Sequence, residues 1–234
     1  MAELTIIPLA NLFLGFLPVI LLIVIMKLWG LNALEPVYAN FRMLMQLLLI
    51  GYVLTYIFET NQSFVVVLVV LFMILVSSWI ALRPLEERGI KAFIIVVTSL
   101  ALSGLAVLFL ISQLIVELPR WFEPSFVLPI AGMIFANSMN TVSLAGERFS
   151  MEQQRGKTYQ DARKIALQTA MIPQINALLA VGLVSLPGMM TGQILSGIEP
   201  LTAARYQIMV MCMIFSTAGL SAVTYMSLKN YLKE

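Results

Sequence analysis

The 234-residue sequence contains no histidine and a single cysteine, Cys212. The first absence removes the commonest general base and the commonest metal ligand at once. Without a Ser/His or Cys/His arrangement, triad-type nucleophilic hydrolysis is excluded. The second absence excludes a disulfide framework within the chain. Charge is scarce too. Asp, Glu, Lys and Arg make up 11% of the residues, less than half the share of about 25% in soluble domains. No carboxylate pair lies deep in an apolar run, so an intramembrane aspartyl protease would lack its acids. A phosphate-binding loop is also missing. Gly156-Lys157-Thr158 looks like the tail of one, but the motif needs a glycine where Met151 stands. ATP-driven work would therefore need a second subunit. The net charge of +2 is spread over loops and points to no nucleic-acid partner.

What the chain has in quantity is apolar sequence, 60% of its residues, with a mean hydropathy of +0.95. A membrane-crossing helix takes about 20 mostly apolar residues. Runs of that kind lie at roughly 4–26, 41–58, 64–82, 92–116, 126–146, 165–195 and 203–228. They predict an all-α integral membrane protein, a polytopic bundle of about seven transmembrane helices in one domain over 1–234. The first run is longer than a signal-peptide core and has only Glu3 before it, so it reads as a first span. Every basic residue except Arg120 and Arg205 falls on one set of loops, whereas Glu3, Glu59, Glu117, Glu123 and Glu199 fall on the other. By the positive-inside rule the N-terminus is outside and the C-terminus cytoplasmic. The longest hydrophilic stretch, 147–164, is then a cytoplasmic loop with a helical end from Tyr159. It reads either as a solvated connection or as a docking element for a cytoplasmic partner, carrying Arg155, Lys157, Arg163 and Lys164.

Two stretches combine apolar character with polar detail. In Val181–Gly197, Pro187 must kink or break a helix. Freed backbone groups at membrane depth survive only where protein or a water-filled cavity receives them. Gly188 and Gly192 form a G-x-x-x-G pair, which permits close helix approach but is common in membrane helices. Met189, Met190 and Gln193 lie around it, the methionines serving either as soft ligands or as flexible filler. In the fifth run, Asn137 and Asn140 are three apart and share a helix face. They read as interhelical hydrogen-bonding groups or as the lining of a polar pathway.

Val181-Gly182-Leu183-Val184-Ser185-Leu186-Pro187-Gly188-Met189-Met190-Thr191-Gly192-Gln193-Ile194, followed by Tyr206-Gln207-Ile208, resembles the signature of the FetB-type iron-export ABC transporter permeases, a family with plant relatives linked to aluminium tolerance. Gln46 with Gly51-Tyr52-Val53-Leu54, and Pro129-Ile130-Ala131-Gly132-Met133-Ile134 with Asn137-Ser138-Met139, extend the likeness over nearly the whole chain. The resemblance implies a multi-pass permease subunit of the inner or plasma membrane, a homodimer in lipid, paired with a separate cytoplasmic ATPase. It implies no cofactor, and export of iron or a related metal or small solute. On that reading Asn137, Asn140, Met189, Met190 and Gln193 line the path, and Pro187, Gly188 and Gly192 form its hinge. Arg155, Lys157, Arg163 and Lys164 receive the ATPase. The segment from Arg148 to Pro173 departs from the family pattern, being shorter and lacking its coupling block, and Ala136 stands where the family has glycine. This departure motivates a second reading, a membrane scaffold or stress-associated protein without ATP-coupled transport.

Overall fold

A computed structural model describes residues 8–59 and 62–231, and every regular element among them is helical. They fall into two compact units that meet in sequence between Asn61 and Gln62. The start of the first expected span (4–7), Glu3 and Lys233 lie outside the described residues.

The first unit contains α1 (Leu9–Leu14), α2 (Leu17–Leu28) and α3 (Leu34–Glu59). Pro18 opens α2, where a missing N–H costs nothing because the first turn has no intrahelical acceptor for it. Gly30, at φ +75°, ends that helix, and the Leu31 N–H closes back on the Met26 carbonyl at 2.9 Å. Asn32 then accepts the Leu34 N–H at 3.1 Å and starts α3.

The second unit contains α4 (Ser63–Ala81), α5 (Ile90–Phe109), α6 (Pro124–Gln154), α7 (Tyr159–Ala180), α8 (Gly188–Leu195) and α9 (Pro200–Tyr231). A π-helical turn, Leu110–Ile115, extends α5. The organising element is α6, which packs against α4, α5, α7 and α9. Its contacts combine large side chains such as Ile134, Phe135 and Phe149 with small ones that let the backbones approach. Ala131, Ala145 and Gly146 of α6 are buried, as are Ala162, Ala166 and Ala170 of α7 and Ala218, Ser221 and Ala222 of α9. Between helices in a bilayer no hydrophobic force remains, so close backbone approach and van der Waals contact hold them together.

Six helical stretches among the described residues are long and apolar enough to cross a membrane: Asn11–Leu28, which runs through α1 and α2, and those beginning at Leu34, Ser63, Ile90, Pro124 and Pro200. The chain is a multi-pass membrane protein. The difference from the expected seven is α7, whose 22 residues span about 33 Å at 1.5 Å per residue but carry Asp161, Arg163, Lys164, Gln168, Gln174 and Asn176. The expected single run 165–195 is also divided. The α7 helix ends at Ala180, the chain turns through Gly182 at φ +83°, and Pro187 caps the separate α8. The turn satisfies its own backbone, with the Val184 N–H on the Ala180 carbonyl at 2.8 Å and the Gly182 N–H on the Ser185 carbonyl at 3.0 Å.

The expected loop 147–164 is corrected most. Helix α6 continues to Gln154 and α7 begins at Tyr159, so only Arg155–Thr158 connects them. The 31 residues of α6 reach about 46 Å, well past a hydrocarbon core of about 30 Å. Burial of Phe149 and Glu152 holds the extra turns in helical form. Thr158 caps α7, accepting the Asp161 N–H at 3.2 Å.

Candidate functional site

The polar residues of α6 and α7 meet in a cleft of about 470 Å³ between the two helices, lined by Asn137, Asn140, Thr141, Ser143, Leu144, Pro173, Gln174 and Ala177. Asn137 points its Nδ2 at the Met133 carbonyl of its own helix, 2.8 Å away. Its Oδ1 is left for the partner helix, where the Gln174 Nε2 donates from 3.4 Å. The same Nε2 lies 3.5 Å from the Thr141 Oγ1. Both contacts are at the long edge of hydrogen-bonding range. Gln174 is buried, yet its amide is held loosely and can turn to another partner. Asn140, also on the cleft lining, is exposed. Pro173 removes the N–H that would bond the Thr169 carbonyl in a regular helix, which weakens the ladder of α7 beside Gln174.

The cleft offers carboxamides and hydroxyls and no charge. Such groups can replace part of a hydration shell and orient a solute by hydrogen bonds. They cannot compensate a bare multivalent ion. Among the described residues, no group of three or more His, Cys, Asp or Glu side chains is placed to hold a metal. A second, larger cleft of about 490 Å³ runs along α4, α5 and Trp121. Its walls are almost wholly aliphatic and aromatic, as a lipid-facing surface is.

The remaining residues singled out from sequence are elsewhere. Met189, Met190 and Gln193 are half-buried on α8, and none of them lines the α6–α7 cleft. Met190 instead borders an apolar cavity against α9, together with Gln207 and Cys212. The Gln193 Oε1 is buried with no hydrogen-bond partner. Gly188 and Gly192 face open space within the chain, since a Cβ added at either would meet nothing within 4 Å. The G-x-x-x-G pair is therefore not a seam between helices of the second unit.

The basic residues collect at one end of this unit. There the α4–α5 connection, the end of α6, the start of α7 and the end of α9 are joined by specific contacts. Ser143 donates to the Ala81 carbonyl at 3.0 Å, Gln154 to the Glu86 carboxylate at 2.6 Å and the Tyr159 hydroxyl to the Met226 carbonyl at 3.3 Å. Glu152, only 3% exposed, accepts from Arg148 at 2.9 Å and Arg155 at 3.0 Å. Lys229, 5% exposed, donates to Ser150 at 3.2 Å and lies 3.6 Å from Glu87. Arg163 stacks over the Tyr159 ring, 5.3 Å from its centroid. Of the four expected docking residues, Arg155 is thus tied to Glu152 and Arg163 to Tyr159, while Lys157 and Lys164 are exposed.

A model of the family UPF0014, described as an uncharacterised protein family, matches residues 9–231. The chain belongs to UPF0014. It is 38% identical over 200 residues to the probable iron export permease protein FetB of Escherichia coli K12, covering 78% of this chain and 74% of that protein. It is 33% identical over 230 residues to the UPF0014 membrane protein slr1647 of Synechocystis, covering 91% and 89%. It is 32% identical over 206 residues to the protein ALUMINUM SENSITIVE 3 of Arabidopsis thaliana, covering 81% and 74%. No solved structure is similar to it.

For this UPF0014 chain, sequence reasoning missed Gln174, Thr141, Glu152 and Lys229. Gln174 had a signal. It continues the four-residue step of Ala162, Ala166 and Ala170, the face that α7 buries. Glu152 and Lys229 had none beyond their charge, because their burial depends on α6 and α9 reaching past the membrane side by side.

Proposed function

We propose that this chain is the permease subunit of an ABC-type exporter, with iron or a related metal or small solute as cargo and a separate cytoplasmic ATPase as motor. The observation that carries this reading is the 38% identity to the probable iron export permease FetB over three quarters of each chain. The missing phosphate-binding loop agrees with hydrolysis by a partner, the chain itself acting on no bond. The uncharged α6–α7 cleft is suited to a hydrated or complexed cargo, and Gln174 is the group there with most freedom to engage it. The α6–α7 connection, with Arg155, Lys157, Arg163 and Lys164, is the ATPase surface. Pro187 at the start of α8, with Gly188 and Gly192 within that helix, is the hinge on which α8 moves against α9. Two copies of the permease complete the path.

Iron retention in cells loaded with iron, with and without the chain and its ATPase, tests the proposal. Retention falls when both are present. Unchanged retention in cells that make both proteins would overturn it. Gentle extraction addresses the scaffold reading. An ATPase that co-purifies, and is lost when Arg155, Lys157, Arg163 and Lys164 are replaced by serine, supports the exporter. Extraction that recovers the chain with no ATPase favours the scaffold.

A further inference from the structure

The open side of α6 is polar at a depth where a lipid-facing helix is apolar. Between Glu123 and Glu147 this helix has no ionisable residue, and its exposed positions are Ser125, Pro129, Ala136, Asn140 and Leu144. At 1.5 Å per residue Asn140 stands about 24 Å along the helix from Pro124, within a hydrocarbon core of about 30 Å. Asn137 spends its carboxamide inside the chain, on the Met133 carbonyl and on Gln174. Asn140 is exposed and makes no such contact among the described residues. Beside it, α7 exposes Gln168 and Asn176 and is too polar to be coated by lipid. A carboxamide in hydrocarbon without a partner is costly, and such groups face protein or a water-filled cavity. The open side of the α6–α7 pair therefore needs a protein cover.

The chemistry of that side indicates which protein. It carries no charge at this depth, so it selects no oppositely charged partner. A carboxamide is its own complement, since it donates through nitrogen and accepts through oxygen. Two copies inserted in the same direction are related by a two-fold axis along the membrane normal. Across such an axis each residue meets its own counterpart at the same depth. Asn140 then pairs with Asn140 of the second copy. Ala136, one turn away, admits a close approach of the two helices, and Leu144 packs on its counterpart. Glu147 would meet a like charge, so close contact ends there, where water begins. A single Asn in an otherwise apolar seam fixes both register and copy number. We propose that the α6 stripe Ala136–Asn140–Leu144 is the two-fold contact between two copies of this chain. The two clefts of about 470 Å³ open toward the same axis and close into one polar chamber, to which each copy contributes its Asn140 and Gln174. The use of that chamber as a path rests on the exporter reading; the contact itself rests on the exposed carboxamide.

Thiol cross-linking of the full chain in native membranes tests the contact. In a Cys212→Ser background, Ala136→Cys and Leu144→Cys each place one thiol on the stripe and leave Asn140 intact. Leu102→Cys on α5 and Leu220→Cys on α9 place exposed thiols on other faces. Two thiols held face to face react at a high effective concentration. A short bis-methanethiosulfonate should therefore convert the two stripe variants to covalent dimer at least about tenfold faster than the other two. Energy transfer between labelled copies diluted in detergent reads the strength of the contact, and Asn140→Leu should weaken it by about fivefold or more. The proposal is overturned if the stripe variants stay monomeric, or if the α5 or α9 variant cross-links as fast. It is also overturned if Leu144→Cys joins Gln46→Cys within one chain and forms no dimer, which would make the first unit the cover. A dimer of undiminished strength in Asn140→Leu overturns it as well. None of these measurements involves transport. Failure to cross-link in a chain that lowers iron retention removes the contact alone, and cross-linking in a chain that leaves retention unchanged removes the exporter reading alone.

Discussion

Glu152 is a single carboxylate serving two arginines, Arg148 one turn earlier in α6 and Arg155 just past its end, at 2.9 and 3.0 Å. Removing its charge while keeping its shape, as in Glu152→Gln, leaves Arg148 and Arg155 to compete for one neutral oxygen. Charge-assisted hydrogen bonds are worth about 1.5–3 kcal/mol each, but Arg155 is 58% exposed and water recovers much of its share. The expected loss is about 1–2 kcal/mol of unfolding free energy, read from denaturant titration of the purified protein. Lys157→Gln, at an exposed position two residues beyond, should change stability by no more than about 0.5 kcal/mol. Gly104 is a different kind of residue-scale constraint. A Cβ there would stand 2.5 Å from the Phe135 ring and 3.1 Å from Ile134, both fully buried. Gly104→Ala must push α5 away from α6, and a destabilisation of about 1–3 kcal/mol is expected from the same titration.

At the scale of elements, the division of 165–195 into α7, a turn and α8 matters most for function. Sequence showed that Pro187 would interrupt a helix. The actual stop comes earlier, because Gly182 adopts φ +83° and the Ala180 carbonyl takes the N–H groups of Leu183, Val184 and Ser185. That rearrangement has no periodic signature, whereas the long apolar helices do, and so those were legible and the turn was not. The same contrast holds in the cleft. Asn137 and Asn140 stood out as carboxamides in an apolar run, but Gln174 was hidden in a helix whose polar residues dilute its hydropathy. Its place in the cleft emerges only when α7 is laid on α6 and the Ala162–Ala166–Ala170 stripe turns it inward. Gln174→Leu removes the amide that reaches Asn137 and Thr141 and replaces it with a side chain the apolar surroundings accept. Efflux should fall by about tenfold or more, the scale of one well-placed polar contact of about 1.4 kcal/mol, while the amount of protein in the membrane stays unchanged. Gly182→Ala strains the turn instead, by about 1–2 kcal/mol for a left-handed alanine. If the turn is the hinge, this variant lowers efflux without touching the cleft, and ordinary efflux in it would remove the turn from the mechanism.

Across the second unit, charge is distributed by end. The end that joins Glu86, Glu87, Gln154, Tyr159 and Lys229 also carries Arg83, Arg88, Arg148, Arg155, Lys157, Arg163 and Lys164. The connections at the opposite end, 116–123 and 181–199, contain one basic residue, Arg120, against Glu117, Glu123 and Glu199. Lys and Arg near the ends of spans are retained on the cytoplasmic side during insertion, so the basic end is expected inside. This assignment is what gives the proposed ATPase surface its meaning, because a motor driven by cytoplasmic ATP has to reach it. A cysteine placed at each end decides it. In a Cys212→Ser background, Lys157→Cys and Ser196→Cys both introduce exposed thiols, one in the α6–α7 connection and one just after α8. A membrane-impermeant maleimide added to intact cells should label Ser196→Cys alone, and after lysis it should label both. Labelling of Lys157→Cys in intact cells would reverse the orientation. It would put the α6–α7 connection beyond the reach of any cytoplasmic ATPase, so the docking surface and the exporter reading that depends on it would fall together.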